Sequence, residues 1–210
     1  MPAVLWDLDG TLVDSGEYHW TSWLIAFESE GFAPTREQFE ASFGQRNDRI
    51  LRDWLGPDAT DDRIRRIGDA KEAAYRRLMR ERGLVGLPGA EDWIARLAAR
   101  GWRQAIASSA PRLNVDAVLD ALEWHGKFDA VVAAEDVRRG KPDPEVFLTA
   151  AERLRTDPSA CVVVEDAAAG VEAARAAGMR VIGLGPLTAG ADLQAPSLTA
   201  LPPDAFERLL

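Results

Sequence analysis

The chain has one cysteine, Cys161, and two histidines among its 210 residues. A single thiol excludes an intrachain disulfide and fits a reducing compartment. No combination of these residues has the spacing of a zinc site. Cys161 opens an apolar run, which assigns it to the interior. Lysine is equally scarce: Lys71, Lys127 and Lys141 are the only three among 25 basic residues. With 34 acidic residues the net charge is −9, which argues against a nucleic-acid surface or a polybasic membrane contact, since both need clustered Lys and Arg. No apolar run reaches membrane-spanning length, and the N-terminus lacks a charged-then-apolar leader pattern, so a soluble cytoplasmic protein is expected. Hydrophobic residues at 47% and charged residues at 28% are enough for a full core with a solvated surface.

Against these absences stands the stretch Val4-Leu5-Trp6-Asp7-Leu8-Asp9-Gly10-Thr11-Leu12. Its apolar run is too short for a helix and is bounded by a turn glycine, so it predicts a buried strand. Two carboxylates end that strand, a placement that needs a positive or reactive group to meet them. From Glu17 to Arg82 the pattern turns helical: Trp20, Trp23, Leu24 and Phe27 share one face, a short helix follows Thr35, another holds Ile50, Leu51 and Trp54, and a long one runs from Asp61 to Arg82. A Gly/Pro-rich connection at residues 83–89 then changes the texture.

Beyond it, helices and strands alternate. Strands are expected at Trp102–Ala107, Phe128–Ala133, Ala160–Val164 and Arg180–Leu184, with helices at Glu91–Arg100, Leu113–Trp124, Pro144–Leu154 and Ala167–Ala177. Repeated β–α units of this length imply an α/β fold, a Rossmann-like parallel sheet with helices on both faces. The helical block is then an insertion, giving a core of residues 1–15 and 84–210 and a helical cap of residues 16–83. The tail after Gly185 is weakly patterned apart from a short helix from Asp204.

The carboxyl ends of the predicted strands carry most of the chemistry. The first gives Asp7 and Asp9, the second Ser108 and Ser109. The third leads to Gly140-Lys141-Pro142-Asp143-Pro144, and the fourth ends in Glu165-Asp166. Ligands of open α/β sheets bind at these ends. Converging carboxylates repel unless a cation joins them, and an all-oxygen set suits Mg²⁺.

These four stations resemble the motifs of the haloacid dehalogenase superfamily of phosphotransferases, and the helical insertion resembles the small cap of its β-phosphoglucomutase and sugar-phosphate phosphatase subgroup. The resemblance implies that Asp7 is a nucleophile forming an aspartyl-phosphate and that Asp9 is the general acid and base. It further implies that Ser108 and Lys141 hold the phosphoryl group, and that Asp7, Asp9 (through its backbone carbonyl), Glu165 and Asp166 bind Mg²⁺. The expected activity is hydrolysis of a small phosphorylated metabolite, a sugar or polyol phosphate, by a monomer. A β-phosphoglucomutase-like isomerase is the alternative. Phosphonate hydrolysis and a non-catalytic binding protein rank lower, the first because Lys71 is the only candidate Schiff-base lysine, the second because no catalytic station is missing.

In the cap, His19 within Glu17-Tyr18-His19-Trp20 and Lys71 within Lys71-Glu-Ala-Ala-Tyr75 resemble the mutase pattern, which places this histidine against the catalytic acid and this lysine toward the substrate. One position departs from it. Three residues after Gly44, the mutases carry an arginine that grips a second phosphate; here that residue is Asn47, with Arg46 and Arg49 as possible substitutes. The departure favours hydrolysis.

Overall fold

A computed structural model describes residues 1–210. Six parallel strands, β1 (Ala3–Trp6), β2 (Arg103–Ala107), β3 (Ala130–Val132), β4 (Cys161–Glu165), β5 (Arg180–Leu184) and β6 (Leu193–Ala195), form one sheet in the order β3-β2-β1-β4-β5-β6. Every residue of β1 and β4 is buried, as expected of strands covered on both faces. Alternation along β1 divides the interior in two. Val4 and Trp6 join a cluster with α5 (Ala90–Ala99) and α6 (Arg112–Ala121), while Ala3 and Leu5 join another with α7 (Glu145–Arg153) and α8 (Ala168–Ala176).

The strand order reverses between β1 and β4, and such a switch point opens a crevice at the carboxyl ends of the two strands. Their register pairs Trp6 with Val164, and the Asp7 amide donates to the Val164 carbonyl at 3.0 Å. Asp7 therefore emerges beside Glu165.

Between β1 and α5 the chain forms only helices: α1 (Gly16–Phe27), α2 (Arg36–Ser42), α3 (Asn47–Leu55) and α4 (Asp61–Arg82). The start of α2 after Thr35 was legible in the sequence, and both α2 and α4 begin with a side-chain cap. The Thr35 hydroxyl accepts from the Gln38 amide while the Gln38 side chain accepts from the Thr35 amide, and Thr60 accepts from the Arg63 amide. These helices have their own apolar cluster, built on Trp23, Phe27, Phe39, Ile50, Leu51, Ile64 and Ile67. No helix is long and apolar enough to cross a membrane.

Two expectations for the tail need correction. β6 was not anticipated, because three residues are too few to show a period of two; the strand exists by pairing with β5. The helix expected from Asp204 is a turn followed by one 3₁₀ turn, Glu207–Leu209. Also, β3 is shorter than the strand expected at Phe128–Ala133.

One buried polar residue crosses the first core. Gln104 on β2 accepts from the Trp6 indole at 2.9 Å and donates to the Ile94 carbonyl at 2.8 Å. Replacing it with a hydrocarbon leaves both partners unsatisfied in the interior. Gln104→Leu should lower unfolding stability by about 2–4 kcal/mol, seen as a lower urea midpoint at unchanged slope; an unchanged midpoint would contradict this account.

Candidate active site

Lys141, from the loop between β3 and α7, lies fully buried beneath the ends of β1 and β4. Its ammonium donates to Asp7 Oδ1 and, at 2.7 Å, to Glu165 Oε1, and sits 5.0 Å from the Phe147 ring centre. Burial alone would lower its pKa, but the two carboxylates hold it raised. Glu165 Oε2 meanwhile accepts from the amides of Asp166 and Ala167 at 2.9 and 3.0 Å. Both Glu165 oxygens are therefore engaged, and its first role here is to fix Lys141 and the loop entering α8. Gly170 allows this, because a Cβ there would fall 1.7 Å from Glu165 Oε1.

Asp7, Glu165 and Asp166 present carboxylate oxygens within 4.8 Å of one another. Burial raises the Asp7 pKa to about 8 despite Lys141, with the Glu165 and Asp9 charges adding to the rise. Asp166 is raised well above the usual carboxylate range by burial and by the charges of Asp7 and Glu165, and takes one hydrogen bond, from the Thr11 hydroxyl at 3.1 Å. A Cβ on Gly10 would lie 2.1 Å from Asp166 Oδ2, so the turn after β1 needs glycine for close approach as well as for its φ of 88°. Three clustered carboxylates, Asp7 and Glu165 buried and Asp166 half-buried, with one lysine on two of them form a site that could hold a hard divalent cation.

The Asp9 side chain turns the other way, toward the cap. Its Oδ1 accepts from Ser15 at 2.7 Å and from Tyr75 at 3.3 Å, and lies 3.0 Å from His19 Nε2, which is not aligned on it as a hydrogen bond. Only the backbone of Asp9 can serve the cation. Burial works to raise its pKa, but His19, Ser15 and Lys71 outweigh that and hold it at about 2. His19 stacks on Tyr75 with ring centres 4.3 Å apart, and its Nδ1 lies 2.8 Å from Lys71 Nζ. The ammonium has only donors to offer, so Nδ1 accepts and the ring proton sits on Nε2, facing Asp9.

A cavity of about 50 Å³ joins these parts. Asp7, Asp9 and Ser108 line it from the core, His19, Asn47 and Lys71 from the cap, so six of the residues singled out in the sequence meet there. Ser108 is buried; its oxygen accepts from the Ala110 amide at 3.0 Å, leaving its proton free to donate. Lys141, Glu165 and Asp166 stand outside this lining, behind or beside Asp7.

Neither arginine near Asn47 takes the place of the mutase arginine. Arg46 donates to the carbonyls of Ala134 and Val137 at 3.0 and 3.1 Å and lies across Gly140, where a Cβ would be 2.4 Å from its Cδ. It fastens the cap to the core. Arg49 is exposed and lines a different cleft. Sequence reasoning also passed over Glu72, Asn114, Ser15 and Tyr75. Glu72 stands next to Lys71 and accepts from Lys71, Asn47 and Asn114, but a glutamate in an arginine-rich helix reads as surface until packing buries it.

With the geometry in place, comparison with known proteins is direct. Residues 1–178 match the family model described as haloacid dehalogenase-like hydrolase. Protein CbbY of Rhodobacter capsulatus is 33% identical over 192 residues, covering 87% of this chain and 84% of that protein. A phosphorylated carbohydrates phosphatase of Thermotoga maritima is 30% identical over 186 residues, with coverage of 87% and 84%. The crystal structure of CbbY from Rhodobacter sphaeroides with xylulose-(1,5)bisphosphate superposes with a TM-score of 0.85 at 29% identity, covering 96% of each chain.

The raised Asp7 has a thermodynamic consequence. Between about pH 4 and pH 8 folded Asp7 keeps a proton that the unfolded chain has released, so its contribution to metal-free stability is lost as pH rises through about 8. A cation bound at Asp7 would have to displace that proton at pH 6 but not at pH 8.5. Saturating Mg²⁺ should therefore raise Tm by at least about 3 °C more at pH 8.5 than at pH 6; equal shifts in calorimetric scans would contradict cation binding at a protonated Asp7.

Proposed function

The chain belongs to the haloacid dehalogenase-like hydrolases, and from that premise we propose that it is a Mg²⁺-dependent phosphatase that hydrolyses a small phosphorylated metabolite, a sugar or polyol phosphate, through an aspartyl-phosphate on Asp7. The observation that carries this reading is the opening of Asp7, Asp9 and Ser108 onto one cavity, with Lys141 behind Asp7 and Asp166 beside it. Asp7 and Asp166 would hold the cation, with the Asp9 backbone as a further ligand and Glu165 orienting the set. When bound, the cation supplies charge neutralisation for a phosphoryl group entering an acidic site.

In the first half of the reaction the Asp7 carboxylate attacks phosphorus, the bond from phosphorus to the ester oxygen breaks, and Asp9 gives its proton to the departing alkoxide. Lys141 tethers Asp7 and offsets its charge, while the free Ser108 proton points at a phosphoryl oxygen. In the second half Asp9 takes a proton from water as that water attacks phosphorus, releasing phosphate and restoring Asp7. The arrangement seen here, with Asp9 held ionised by His19 and Lys71, suits the second half. The first requires Asp9 protonated, and hence a weaker contact with His19.

Nothing in the pocket favours the mutase alternative. A mutase must hold a substrate phosphate while a second is transferred, and the position expected to grip it is Asn47, whose amide donates to Glu72 at 2.6 Å. Phosphonate hydrolysis fits no better, since Lys71 is paired with Glu72 at 2.8 Å and so offers no free amine.

Phosphate release from a panel of sugar and polyol phosphates is expected with Mg²⁺ and is abolished by EDTA. Asp7→Asn should lower kcat on the order of 10³-fold or more. For Asp9→Asn the expected loss is about 10²–10⁴-fold in kcat with Mg²⁺ affinity nearly unchanged. Full activity of Asp7→Asn would overturn the covalent route, and conversion of β-glucose 1-phosphate to glucose 6-phosphate without phosphate release would establish the mutase.

A further inference from the structure

On the leaving-group side of the cavity, the charge balance is unusual. The cap contributes one cation to the lining, Lys71, and one full anion, Glu72; no arginine lines it. Lys71 is committed to His19 Nδ1 and Glu72 Oε1, each at 2.8 Å. Glu72 is itself buried, and its oxygens accept from Lys71, from Asn47 at 2.6 Å and from Asn114 on α6 of the core. Asn114 in turn accepts from Arg76 at 2.6 Å. Asn47 and Glu72 also line the outer cleft between cap and core, so the bridge Asn47–Glu72–Asn114 walls the cavity off from that cleft and its arginines.

The remaining recognition group points the same way. Gln45 Oε1 is buried in the lining with no protein donor in reach. A buried amide oxygen without a donor costs free energy that an incoming O–H group removes. A phosphate or carboxylate oxygen has no proton to give at neutral pH. Placed here it would face an acceptor and two ionised carboxylates, Asp9 and Glu72, with no unpaired cation.

Resting on the phosphatase reading above, we propose that Glu72 and Gln45 are the specificity determinants of this cap. They select a phosphate ester whose leaving group is an uncharged, hydroxylated alcohol, and exclude a leaving group that carries a second phosphate or carboxylate. Glu72 excludes by neutralising Lys71 and closing the wall with Asn47 and Asn114. Gln45 selects by accepting a hydroxyl proton.

The test separates binding from turnover. Calorimetry on Asp7→Asn protein in Mg²⁺ compares sorbitol 6-phosphate with fructose 1,6-bisphosphate as probes. The monophosphate should bind at least about tenfold more tightly despite its lower charge. Adding the isosteric Glu72→Gln frees Lys71 and should shrink that ratio about tenfold, chiefly by tightening the bisphosphate, whereas Gln45→Leu should shrink it by weakening the monophosphate. Equal or tighter binding of the bisphosphate before these changes, binding of neither probe, or a ratio that Glu72→Gln leaves alone overturns the assignment. Failure of the hydrolytic reading appears separately, as absence of phosphate release by the unsubstituted protein from any ester in the panel.

Discussion

The structure depends on a buried ammonium. Lys141 is fully enclosed, and an isolated charge in that position would cost far more than the protein's whole stability margin. It persists because Asp7 and Glu165 meet it from two adjacent parallel strands, whose register sets their carboxylates side by side. The converse also holds, since Asp7 and Glu165 would repel each other without it. Pairs of this kind contribute little net stability over an apolar replacement, but removing one partner leaves an uncompensated charge. Three chain segments far apart in sequence are thereby fastened at one point, and that point is the floor of the cavity.

The same constraint explains the glycines around it. Gly170 leaves room for Glu165, and Gly10 leaves room for Asp166. Burial, together with carboxylates held so close that one lysine cannot neutralise all of them, keeps Asp7 and Asp166 raised in pKa. The acidic cluster is thus one that a cation could complete, since it would supply the positive charge that Lys141 alone does not.

Most of this floor could be read in the sequence. Acids, a hydroxyl and a lysine at the ends of apolar runs have few structural uses, and the helix and strand periods around them were long enough to order the elements. What stayed hidden depends on contacts that leave no local pattern. The three-residue β6 is defined only by its neighbour β5. Arg46 carries the sign expected of a phosphate-gripping residue, yet it is spent on two core carbonyls. Glu72, one of many charges on α4, becomes a wall of the pocket only because α4 packs against α1 and reaches α6 through Asn114. Charge type was legible from the sequence, whereas direction, burial and partner were set by packing.

That distinction bears on how the cap and the core divide their labour. The cap has an apolar cluster of its own, while its contacts near the site are largely polar: Arg46 to the Ala134 and Val137 carbonyls, Ser109 to the Gly44 carbonyl at 2.8 Å, Tyr75 to Asp9. Polar contacts can be exchanged for water at little net cost, whereas an apolar interface of the same extent could not be opened so readily. The apolar part of the joint, Tyr75 and Met79 of α4 packed into the core cluster around Trp6, is therefore what holds the cap in place. His19, Lys71 and Tyr75 reach Asp9 as a set, because all three ride on α1 and α4, and those helices pack extensively on each other. Against the effect of burial, His19, Ser15 and Lys71 hold the Asp9 pKa at about 2. The helical insertion thus shapes the pocket and also sets the charge state of Asp9 within it.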